Sequence, residues 1–128
     1  MNQATRDIVQ QRAGNRCEYC GLHQNDSPLA RLHIEHILPK KHGGTDSLDN
    51  LALACIGCNL HKGSNVAGYD PETSELTELF HPRRELWNDH LAWDGAMIVG
   101  KSATGRTTIH VLQMNSEEQI QLRLVARS

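Results

Sequence analysis

The chain opens on a polar stretch whose apolar pair is Ile8 and Val9, with Gly14 after it. This pattern predicts a helix over residues 4–13 that docks Ile8 and Val9 on a core and stops at the glycine. From Arg31 to Glu35 the positions alternate. Leu32 and Ile34 share one face, and Arg31, His33 and Glu35 share the other, as in a short strand. Pro39 ends that strand, and Gly43-Gly44 marks a loop. Asn50 to Ala54 predicts a second strand with Leu51 and Leu53 on one face. Ile56 to about Gly63 predicts a short helix stopped by the glycine. The expected order through this stretch is strand, loop, strand, helix.

Beyond Ser64 the pattern changes. Val66 to Thr73 predicts a loop or a short hairpin, and Leu79 to Arg84 leads into a short helix through Trp87. Met97 to Gly100 predicts a strand. Thr104 to Met114 fits two elements: Thr107, Ile109 and Val111 alternate as in a strand, whereas Thr104 can cap a helix carrying Ile109 and Leu112. The helix is favoured. Ser116 and Gln119 have the spacing of a capping box, which starts a final helix running to about Ala126. The chain divides into residues 1–65 and an α/β extension, 66–128, packed on them.

With 128 residues there is room for one compact domain. Apolar residues are 38 %, but the aromatics are one Phe, two Tyr and two Trp. So thin an aromatic set implies that something besides packing helps to hold the fold. No window approaches about 20 apolar residues, so no membrane span is expected. The first residues lack the apolar stretch of a secretory signal, which points to the cytoplasm. A net charge of −2 argues against bulk electrostatic binding of nucleic acid but leaves room for a local basic patch.

Four cysteines form Cys-x-x-Cys twice, Cys17 with Cys20 and Cys55 with Cys58. Each tight turn can aim two thiolates at one ion, and two such turns complete a closed tetrahedral shell with no position left for catalysis. Disulfides suit secreted chains, and a redox pair needs only one motif on a βαβ unit. A structural zinc ion is therefore expected. Its binding contributes on the order of 10 kcal/mol to folding, which answers the thin core.

The stretch between and around these pairs reads Cys17-x-x-Cys20, His33-Ile34-Glu35-His36-Ile37-x-Pro39, Gly43-Gly44, Asn50-Leu51-x-Leu53-x-Cys55-x-x-Cys58-Asn59-x-x-Lys62. It resembles the HNH endonuclease family, whose nuclease core is the ββα-metal fold. The resemblance implies an α+β chain: a ββα-metal core clamped by the four-cysteine zinc, with the extension added. It implies that Glu35 is a ligand of a catalytic divalent ion and that His36 is the general base. Adjacent residues on an ideal strand point to opposite faces, so the strand is expected to end and turn here. The resemblance further implies that Asn50 fixes the loop and orients the base through a hydrogen bond, and that Asn59, ahead of His61, is the second ligand. A carboxylate, an amide carbonyl and water suit Mg²⁺ or Mn²⁺.

Lys62, inside the matched pattern, and Lys40 with Lys41 are candidate phosphate contacts; a solvated charged loop is the plain alternative for the last two. His33 fits an exposed strand histidine, and His23, His42, His81, His90 and His110 fit surface or packing positions. Residues 66–128 resemble an extension found in a bacterial subset of HNH nucleases, through Leu79-Phe80-x-Pro82-Arg83, Gly105-Arg106-x-Thr108-Ile109 and Met114-Asn115. Arg83, Arg84 and Arg106 either contact DNA backbone or pin this half to the core. Trp87 and Trp93 are expected to form its satellite core.

These expectations add up to a metal-dependent endonuclease that nicks DNA as a monomer, with His36 activating water and leaving 5′-phosphate and 3′-hydroxyl ends. The zinc takes no part in the reaction. The rival is a zinc-stabilised module that binds nucleic acid or protein without cleaving. The acidic net charge speaks mildly for that rival, or for DNA contacts supplied by a partner protein.

Overall fold

The structure, a computed structural model, describes residues 1–27 and 29–127. Helix α1 (Gln3–Arg12) starts at Asn2, whose Oδ1 accepts the Thr5 amide at 2.9 Å. It buries Val9 fully but leaves Ile8 46 % exposed, so one of the two expected anchors docks. The first cysteine pair follows in a tight turn. Strands β1 (His33–His36) and β2 (Leu51–Ala54) then pair antiparallel, with His33 opposite Ala54 and His36 opposite Leu51. All four residues of β2 are buried. Helix α2 (Ile56–Lys62) leaves β2 directly, with Cys55 as its N-cap. The strand–loop–strand–helix order is the one read from the chain.

The extension holds two more antiparallel hairpins, β3 (Ala67–Tyr69) with β4 (Leu76–Glu78) and β5 (Leu91–Asp94) with β6 (Met97–Gly100). Among the described residues every sheet is a two-stranded antiparallel pair. Helices α3 (Trp87–His90), α4 (Ala103–Leu112) and α5 (Glu117–Ala126) complete it, so the chain is α+β. One buried cluster runs through both halves. It joins Val9, Tyr19, Leu51 and Leu53 to Phe80, Leu91, Ile98, Leu112 and Met114. The edge of Tyr19 meets Phe80 at a centroid distance of 6.4 Å.

Three local expectations shift. The short helix begins at Trp87 rather than ending there, because a turn closed by the amides of Arg84 and Glu85 on His81 O precedes it. Strand β5 was not expected, although Asp94-Gly95 is a hairpin signal and Gly95 has φ +60°. The segment after residue 102 is the favoured helix, but its cap is Ser102, which accepts the Gly105 amide at 3.0 Å, not Thr104. At α5, Ser116 Oγ accepts the Gln119 amide at 3.2 Å, as in a capping box. The Gln119 side chain does not close the box; it turns to Cys55 Sγ. Among the described residues no helix is long and apolar enough to cross a membrane.

Candidate metal centre and active-site loop

Cys17 and Cys20 lie in the turn after α1, Cys55 caps α2 and Cys58 sits in its first turn. All four are buried, and their sulfurs lie within 4.8 Å of one another. Cys20 Sγ and Cys55 Sγ are 3.6 Å apart. A disulfide needs about 2.05 Å, whereas four sulfurs at about 2.3 Å from one zinc are separated by about 3.8 Å. The donor set fits a structural zinc ion. The amides of Cys20 and Cys58 donate to Cys17 Sγ and Cys55 Sγ, each at 3.4 Å. Gln119 Nε2 donates to Cys55 Sγ at 3.6 Å from the far end of the chain. Burial pushes the Cys17 thiol up and neighbouring thiols push Cys58 up, while bonds from the same neighbours push Cys55 down. A bound cation would allow four thiolates to share this space. Among the described residues no other group of three or more His, Cys, Asp and Glu gathers its ligand atoms this closely.

Glu35 is placed differently from the alternation pattern, which put it with His33 on the outward face. It is 6 % exposed. Its Oε1 accepts the Tyr19 hydroxyl, and its Oε2 lies 3.1 Å from Lys62 Nζ. Lys62 is 2 % exposed and also donates to Ile37 O at 3.0 Å. Burial pushes the Glu35 carboxyl up, against the pull of Lys62 and Tyr19. Both carboxylate oxygens already meet donors, one of them an ammonium. A divalent ion at these oxygens would face the Lys62 charge. Held this way, Glu35 does not fit an open ion site, and Lys62, spent on this pair, is not available to a phosphate; Asn59 is half-buried.

His36 ends β1 with 23 % of its side chain exposed, and its Nε2 lies 2.7 Å from Asp46 Oδ1. Lys40 Nζ reaches the same oxygen at 3.3 Å. The hydrogen bond from His36, and then Lys40, hold the Asp46 carboxyl below its ordinary range. Asn50 latches the intervening loop. Its Oδ1 accepts the Leu38 amide at 2.9 Å, and its Nδ2 donates to Leu38 O at 3.0 Å and Thr45 O at 2.8 Å. Gly44 is required by this latch, since a Cβ there would lie 1.6 Å from Leu38 O. The bonds of the Asn50 side chain go to the loop and, among the described residues, none goes to His36.

The remaining candidates separate cleanly. Arg83 pairs with Glu18, whose other oxygen accepts the Leu53 amide at 2.8 Å, so Arg83 pins the extension to the first cysteine turn. Arg106 is tied within the extension itself, donating to Asp70 Oδ2 at 2.8 Å. Arg84, Lys41 and His33 are exposed, and His61 is half-buried. Trp87 Nε1 donates to Tyr19 O at 2.7 Å, and its ring lies 5.6 Å from that of Trp93. Asp46 and Tyr19 are not among the residues the sequence singles out, and Gln119 stands out there only as a capping-box residue. Tyr19 lay in view between two cysteines; Asp46 and Gln119 carry no spacing signal toward their partners.

Residues 17–65 match the family model described as HNH endonuclease. Over 115 residues the chain is 25 % identical to the Septu protein PtuB of Bacillus thuringiensis, which covers 84 % of this chain and 40 % of that protein. The chain thus spans less than half the length of that curated relative. No solved structure gives a significant match. The strand–loop–strand–helix unit closed by the four cysteines is thus the part of the chain that carries the match to the HNH endonuclease family.

Proposed function

We propose that this chain is an endonuclease that hydrolyses phosphodiester bonds in DNA, with His36 as the general base. The observation that carries this is His36 itself. It is a partly exposed imidazole, anchored by a hydrogen bond, at the rim of a loop latched by Asn50, inside the segment that matches the HNH family. A neutral imidazole is suited to take a proton from water near pH 7. The resulting hydroxide attacks phosphorus, the P–O3′ bond breaks, the leaving 3′ oxygen takes a proton from solvent, and 5′-phosphate and 3′-hydroxyl ends are left. One such site cuts one strand per encounter, so a monomer nicks. The four-cysteine zinc has no open position and holds the fold only.

HNH nucleases use divalent metals; with the Glu35 oxygens taken by Tyr19 and Lys62, a Mg²⁺ or Mn²⁺ ion for this chain would have to be held by other groups. Lys40, with 64 % of its side chain exposed, and Arg84 remain the candidate phosphate contacts. The commitment of Lys62, Arg83 and Arg106 to internal acids supports a second reading. In it the domain binds nucleic acid or protein without cutting, or a partner protein supplies the DNA contacts. Incubation of supercoiled plasmid with the zinc-loaded protein and Mg²⁺, Mn²⁺ or EDTA separates the two. Metal-dependent conversion to open circle is expected; intact supercoiled DNA with every ion would favour the binding module.

A further inference from the structure

The loop between β1 and β2 places one carboxylate against the ring of His36. The contact from His36 Nε2 to Asp46 Oδ1, at 2.7 Å, is short for a hydrogen bond of this kind. An ionised carboxylate only accepts, so the proton of this bond belongs to Nε2. A neutral imidazole with its proton on Nε2 keeps a lone pair on Nδ1.

The loop is organised around holding Asp46 there. Asn50 grips Leu38 on one side and Thr45 O, one residue before Asp46, on the other. The Ser47 amide, one residue after Asp46, donates to Thr45 Oγ1 at 3.3 Å. Lys40 Nζ, at 3.3 Å from the same carboxylate oxygen, supplies a counter-charge that keeps Asp46 ionised. Asn50 therefore reaches His36 by way of Asp46 rather than by a bond of its own.

We propose that Asp46 is the positioning residue for His36: its carboxylate fixes the imidazole with the proton on Nε2, so that Nδ1 is the atom that takes the proton from water. This rests on the reading of His36 as general base. In the step itself, water loses a proton to Nδ1 and the imidazole becomes a cation. The Asp46 carboxylate stabilises that cation without itself gaining a proton.

The test uses the full chain in its zinc-loaded form, with two readouts. Nitrogen-15 NMR of the histidine rings reads the His36 tautomer without any need for turnover. A protonated Nε2 and an unprotonated Nδ1 are expected, with the two forms mixing in Asp46→Ala. A proton on Nδ1 in the parent protein overturns the proposal. Plasmid nicking is the second readout. Asp46→Ala should lose about 10- to 100-fold in kcat, the range for removal of a partner that orients a functional histidine, with KM changed less than about twofold. Asp46→Glu, which keeps the carboxylate, should recover part of that loss. Asp46→Ala cleaving at the parent rate while His36→Ala is inactive overturns the positioning role alone. His36→Ala cleaving at the parent rate overturns the general-base reading and the positioning role together.

Discussion

Lys62 Nζ lies 3.1 Å from Glu35 Oε2, and both side chains are almost completely withdrawn from water. Removing one member of a buried pair leaves the other charge uncompensated, at a cost of about 3–5 kcal/mol. Lys62→Ala should therefore destabilise the chain by about that much in urea unfolding, while Glu35→Gln with Lys62→Met should restore most of it. Because the Glu35 carboxyl is raised in the native state, that state holds more protons than the unfolded one, and stability rises as pH falls through the raised value. The Lys62→Ala protein should show this rise more steeply. A loss below about 1 kcal/mol would show that the pair is not structural.

The Arg106 guanidinium holds the Asp70 carboxyl well below the usual carboxylate range. Here the sign is opposite. The native state binds fewer protons than the unfolded one, so the contribution is present above the unfolded value of about 4 and is lost as pH falls through the depressed native value. Asp70→Asn should remove that part of the acid dependence, read from stability measured at a series of pH values. An acid limb identical to the parent's would contradict the assignment.

Removal of zinc should unfold more than the cysteine turns. Trp87 hangs from Tyr19 O, between Cys17 and Cys20, and Arg83 pairs with Glu18. A strong chelator, or Cys55→Ser, should therefore shift tryptophan fluorescence from the extension together with loss of the ion. The stabilisation at stake is on the order of 10 kcal/mol. Purified protein that lacks zinc yet melts normally would refute the clamp.

Gln119 reaches from the extension to the four-cysteine cluster, donating to Cys55 Sγ. A Cβ on Gly57 would lie 2.0 Å from Gln119 Nε2, so Gly57→Ala must push that side chain away from Cys55. Loss of an outer partner of this kind costs about 10- to 100-fold in metal affinity. Chelator competition should show the loss while circular dichroism stays that of the parent. Equal zinc retention would mean that the Gln119 bond carries nothing.

What the chain disclosed follows from the range of the interactions involved. The cysteine turns, Asn50, Gly44 and the order β1, loop, β2, α2 are local or set by spacing, and they were legible. The Glu35–Lys62 pair was not. Alternation turned Glu35 outward, and the cation that makes its burial tolerable stands 27 positions later in the sequence. Asp46 was silent for the same reason: a lone aspartate in a polar loop says nothing of the histidine it meets. The sequence allows Arg83 either DNA or the core, and only Glu18 beside it shows the internal partner.

The role proposed for His36 is to activate water in a DNA-cutting reaction. The direct measurement compares initial rates of plasmid nicking by the parent protein and His36→Ala, with zinc content and melting temperature matched. A loss of about 100-fold or more in the variant is predicted. Equal rates in the two proteins would contradict it.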